Sequence, residues 1–176
     1  MKKLCLLLTT ILAFAMVHEG MHALTSFLYG EYDAFHLRFY GAEVTYKTPV
    51  PERQGLHWAL IAGAPYVMTI GLGYIFFAMR HKFAAATRSF TRHLGYWFIV
   101  LFMLLDPFSM AINTFIFGGD VGGMVVGLGI NKYVIQALAF AILLLNRELV
   151  VQKVFPLFGV KTAHPLLKSP FRFWRN

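Results

Sequence analysis

Residues 4–28 read LCLLLTTILAFAMVHEGMHALTSFL, and this stretch decides how the rest of the chain is read. As a helix it is long enough to cross a bilayer. Its only formal charge is Glu19, set between His18 and His22 in a His-Glu-Gly-Met-His run. On a helix, positions i and i+4 share a face, so both imidazoles can bind one Zn²⁺. Glu19, next to the first of them, can take a proton from a water that the metal activates. A carboxylate and two imidazoles at membrane depth are expensive unless they bind something, which marks a functional site. The bland alternatives are a polar contact between two helices and a chance occurrence of a short motif.

Composition points the same way. With 58% hydrophobic and 14% charged residues over 176 positions, the chain is too apolar for a soluble domain of this length. One membrane-embedded domain, 1–176, is expected, with a core over about 4–151 and a basic amphipathic tail over 152–176. The net charge of +8 does not signal nucleic acid, because the basic residues flank apolar runs and do not line one helix face. The lipid bilayer is the expected partner. Cys5 is the single cysteine, so an internal disulfide is excluded.

Lys2-Lys3, an apolar core and Ala13-Phe14-Ala15 also fit a secretory signal. Cleavage there would destroy the helix that carries the motif, and the apolar run resumes after His22. An uncleaved first span is therefore expected.

After Gly30 the period changes. Phe35, Leu37 and Phe39 alternate with His36, Arg38 and Tyr40; beyond Gly41, Val44 and Tyr46 alternate with Glu43, Thr45 and Lys47. Period-two patterning on both sides of a Gly-containing turn predicts a β-hairpin, ended by Pro49 and Pro51. Such an edge can pair with an extended peptide; the alternative is a loop lying on the membrane surface.

Three further spans are expected, at Leu56–Met79, Leu94–Phe117 and Tyr133–Val151. The small residues around Ala62-Gly63-Ala64-Pro65 suit close helix approach. The fold class is thus an all-α membrane protein with about four transmembrane helices and a small β-hairpin between the first two. Lys2-Lys3, the basic connection from Arg80 to Arg92 and the tail fall on one side, so both termini are expected to be cytoplasmic.

Two histidines leave a zinc ion under-coordinated, so a carboxylate must come from elsewhere. At 1.5 Å per residue His18 lies about 21 Å along its helix and Asp106 about 18 Å along the third span. Asp120 would lie about 39 Å along a straight continuation, beyond the hydrocarbon. Depth favours Asp106. Gly118-Gly119 breaks the helix, however, and a broken segment can dip back where protein buries it.

An intramembrane HExxH, a hairpin, an Ala-Gly-Ala-Pro near the start of the next helix and a downstream Gly-Gly-Asp together resemble the site-2 protease family of intramembrane zinc metalloproteases. The resemblance runs from about Val17 to Ile130 and is strongest to the small bacterial, core-only members. It implies a zinc ion held by His18, His22 and Asp120, with Asp106 as runner-up ligand or as hydrogen-bond partner to a ligating imidazole. It further implies that Glu19 activates water and that Asn113 helps to bind the reacting peptide, although an interhelical or capping amide is an equal reading of Asn113. The implied substrate is a membrane protein cut in or next to a transmembrane segment, and the implied location is the bacterial cytoplasmic membrane. The chain departs from the family in lacking prolines before the aspartate and in having Ala-Gly-Ala-Pro in place of Ala-Gly-Pro-Asn. A non-catalytic metal-binding or metal-handling membrane protein is the rival expectation; a purely structural helical subunit is another.

Overall fold

The computed structural model describes residues 2–39, 41–112 and 119–168. Helix α1 spans Lys2–Leu28. It stops where Gly30 takes φ +75° and the Glu31 and Gly30 amides bond back to Ser26 and Phe27 carbonyls. That pairing satisfies carbonyls the helix end leaves open, and glycine adopts the positive φ without a Cβ penalty. Strands β1 (Tyr32–Arg38) and β2 (Gly41–Tyr46) follow as an antiparallel pair, with Phe35 opposite Val44 and Arg38 opposite Gly41. Gly41 therefore opens β2 and is not the turn residue that the alternation suggested. The pair also reaches back to Tyr32, through an irregularity between Tyr32 and Ala34.

Helix α2 covers Leu56–Ala78, the short basic α3 Arg80–Ala84, and α4 Ser89–Ile112. Helix α5 covers Gly119–Leu128 and α6 Lys132–Leu149. Asn131 caps α6 by accepting from the Tyr133 amide at 2.9 Å. A π-helical stretch at Val150–Val154 and a last helical turn, α7 (Phe155–Leu157), prolong α6. Residues 152–157, assigned from sequence to the tail, thus belong to the fourth long helix.

Four helices are long and apolar enough to cross a membrane: Leu4–Leu28, Leu56–Ala78, Ser89–Ile112 and Lys132–Leu157. Much of their surface is apolar and uncovered, as at Leu8, Leu12, Val67, Leu138 and Leu145. Helix α2 packs against α1, α4 and α5, while α6 packs against α4. Glycine sets the closest approaches. A Cβ at Gly73 would come within 2.8 Å of the Phe102 backbone on α4, and one at Gly123 within 2.8 Å of the Ala62 side chain. One at Gly127 would collide with the Ala59 backbone. These contacts place α5 antiparallel to α2, with its N-terminal end beside Tyr66.

Pro65 in α2 and Pro107 in α4 each leave a carbonyl four residues back without its helical donor. Pro107 frees that of Met103, and the buried Asn146 side chain of α6 donates to it at 2.7 Å. Tyr74 of α2 in turn donates to Asn146 Oδ1 at 2.7 Å. Three helices are thereby joined through one amide, in surroundings where an unpaired polar atom is costly.

Candidate metal centre

His18 and His22 lie one turn apart on α1, with ring centroids 5.1 Å apart. Each ring is held at Nδ1. His18 Nδ1 donates to Asp106 Oδ2 at 3.1 Å, and His22 Nδ1 donates to the Ile61 carbonyl at 3.0 Å. Asp106 is itself fixed, since the fully buried Thr69 hydroxyl donates to the same oxygen. With both Nδ1 atoms engaged as donors, both Nε2 atoms carry a free lone pair.

The two Nε2 atoms converge on one carboxylate. Asp120 Oδ2 lies 3.5 Å from His18 Nε2 and 3.2 Å from His22 Nε2. The three ligand atoms lie within 4.8 Å of one another, so His18, His22 and Asp120 form a cluster that can hold a metal ion. A shared proton or a metal ion can each occupy the space between these facing atoms. Ligands at 2.0–2.1 Å from a tetrahedral zinc would be about 3.3–3.4 Å apart, a spacing that the two Asp120 distances bracket.

The two aspartates thus reach the same histidine on opposite nitrogens. Depth along a straight helix favoured Asp106 as the ligand, but Asp106 faces Nδ1 and Asp120 faces Nε2. Helix α5 is not a straight continuation of α4. Asp120 opens α5, which packs back along α2 and lies level with His18 in place of some 39 Å from the start of the span. Asn113 lies outside the described residues.

Glu19 lines the same crevice as His18, Asp106 and Asp120. The crevice, of about 370 Å³, lies between α1 and α4, and Ile11, Phe14, Leu105 and Phe108 form its apolar walls. On the other side of the site, Tyr46 stands edge-on to His22 at 6.4 Å and to Trp58 at 5.5 Å. The Arg53 guanidinium covers both rings, 4.8 Å from that of Tyr46 and 4.4 Å from that of Trp58. Burial, aided by the Asp120 and Glu19 carboxylates and opposed by Arg53, pushes the Tyr46 phenol up, so it stays neutral.

Several residues here escaped the sequence reading. Tyr66 donates to Asp120 Oδ2 at 3.1 Å, Thr69 anchors Asp106, and the Ile61 carbonyl orients His22. Only the last left a trace in sequence: a proline four residues downstream announces a freed carbonyl. No protein-family model, curated protein or solved structure matches the chain.

Proposed function

We propose that this chain is a membrane-embedded zinc metallopeptidase of the site-2 protease type. Its substrate is another membrane protein, cut in or next to a transmembrane segment. The observation that carries this reading is the convergence of both Nε2 atoms of the His-Glu-Gly-Met-His pair with the Asp120 carboxylate, beside Glu19. The four long apolar helices span the bacterial cytoplasmic membrane. The basic segments at Lys2-Lys3, α3 and the tail keep both termini cytoplasmic.

His18, His22 and Asp120 would hold a zinc ion, which when bound would supply Lewis acidity for the scissile carbonyl and for the attacking water. Glu19 takes the proton of the attacking water and returns it to the leaving amine. Asp106 and the Ile61 carbonyl keep the two imidazoles in the ligating tautomer throughout. The apolar walls between α1 and α4 suit a lipid-embedded peptide. Because a helix keeps its carbonyls bonded, that peptide must unwind locally before it is cut.

The test is Glu19→Gln, with wild-type and variant protein purified in detergent and reconstituted with a model transmembrane peptide. Wild type should contain about one zinc per chain and cleave the peptide. The variant should keep the zinc and lose cleavage. Wild-type protein free of zinc would refute the metal reading, and zinc without cleavage in either protein would leave a metal-holding protein that is not a peptidase.

A further inference from the structure

Pro65 sits inside α2, fully buried, one helical turn after Ile61. In an uninterrupted helix the residue-65 amide would bond to the Ile61 carbonyl. Proline has no N–H to give, so that carbonyl is left open in a place where water does not compensate it. Ile61 is only 1% exposed and His22 2%. The neighbouring hydroxyl of Thr69 lies within bonding reach of the Pro65 and Tyr66 carbonyls, not of that of Ile61, and its hydrogen goes to Asp106. The donor that fills the gap is His22 Nδ1, at 3.0 Å.

We propose that Pro65 is a positioning residue for the metal-binding pair: by withholding an amide hydrogen it reserves the Ile61 carbonyl for His22 Nδ1, which turns His22 Nε2 toward Asp120. This rests on the metal-binding half of the reading above. The same device recurs away from the cluster, where Pro107 frees the Met103 carbonyl and Asn146 takes it. In both places the freed carbonyl takes a side-chain donor from another helix. The device also divides the labour at the site. His18 is oriented by a carboxylate and His22 by a backbone carbonyl, so the second imidazole is fixed without adding another negative charge to the buried cluster.

The chemistry makes an unusual demand on one substitution. Pro65→Ala returns the missing amide hydrogen and favours the helix, since alanine is the best helix former and proline the worst. It also gives the Ile61 carbonyl a competing donor four residues on. His22 then loses its sole claim on that carbonyl, and the proton is free to sit on Nε2, where it blocks ligation.

Two measurements on detergent-solubilised full-length protein test this. Nitrogen-15 spectra of the metal-free imidazoles should show His22 as the Nδ1–H tautomer in wild type and as a mixture in Pro65→Ala. Competition with a chromophoric chelator should show zinc affinity about tenfold weaker in the variant, at the low end of what losing an orienting partner costs. Retention of the Nδ1–H tautomer by His22 in Pro65→Ala overturns the assignment, whatever happens to affinity, because any affinity loss would then come from packing. Wild-type protein that binds no zinc would sink the metallopeptidase reading, yet the tautomer comparison would still decide the role of Pro65.

Discussion

Asp106 and Asp120 approach His18 from opposite sides, and substitution can separate their roles. Consider Asp106→Asn. In the wild type the Asp106 carboxylate accepts from His18 Nδ1 at 3.1 Å and from Thr69. An asparagine oxygen can accept the same two bonds without charge. A hydrogen bond to a charged group contributes about 1.5–3 kcal/mol and a neutral one about 0.5–1.5 kcal/mol, so the difference is about 1–1.5 kcal/mol. That corresponds to about a five- to tenfold loss of zinc affinity. On the proposed reading, Asp120→Ala removes a ligand outright. If about 10–16 kcal/mol of binding is shared among four ligands, each contributes about 3 kcal/mol, or more than about a hundredfold. Chelator competition on both purified variants reads the contrast directly. A hundredfold loss in Asp106→Asn with less than a tenfold loss in Asp120→Ala would refute the assignment of ligand and supporting aspartate.

Other outcomes follow from contacts around the site. Tyr66→Phe removes the donor to Asp120 Oδ2 and should weaken zinc binding by about tenfold or more, on the order of one hydrogen bond to a charged group; an unchanged titration would make that hydroxyl incidental. Gly127→Ala places a methyl group against the Ala59 backbone, which should cost about 1–3 kcal/mol and push α5 away from α2. Zinc affinity should fall with the unfolding midpoint in detergent–SDS titrations, and full affinity in a destabilised variant would show that α5 need not be seated. Asn146→Leu orphans the Met103 carbonyl and should cost about 1–3 kcal/mol. In a Pro107→Ala background, where the amide returns, the same substitution should cost clearly less, and additive costs would argue against the freed-carbonyl account.

Much of this was legible in the chain. The i, i+4 histidines fixed a helix face, and alternation from Phe35 to Tyr46 marked the hairpin, because these periods are properties of the backbone itself. The spans were legible too, to within a few residues at most ends. The fourth ran further, to Leu157, since its π-helical stretch carries apolar Val150 and Val154 into the core beyond Arg147 and Glu148. The choice between aspartates was not legible. It depends on α5 folding back along α2, which rests on Gly123 and Gly127 meeting Ala62 and Ala59, and no local period encodes that contact. The Ala62-Gly63-Ala64-Pro65 stretch was read for its small side chains. A Cβ at Gly63 would meet Met124 only at ordinary contact distance, and the more consequential feature is the hydrogen that Pro65 lacks. Tyr66 and Thr69 carried no signal, being single hydroxyls in an apolar run.

The separation of the three cluster residues along the chain has a consequence for biogenesis. His18 and His22 leave the ribosome early, but Asp120 follows His18 by 102 positions and reaches it only on α5. That helix has no seat until α2 is in place, and α2 in turn leans on α1 and α4. Contacts between residues so distant in sequence form late, after the loop they close has been ordered. The half-made chain therefore carries two imidazoles and a glutamate without the third cluster residue. Competence to hold an ion arrives only once the helices have met.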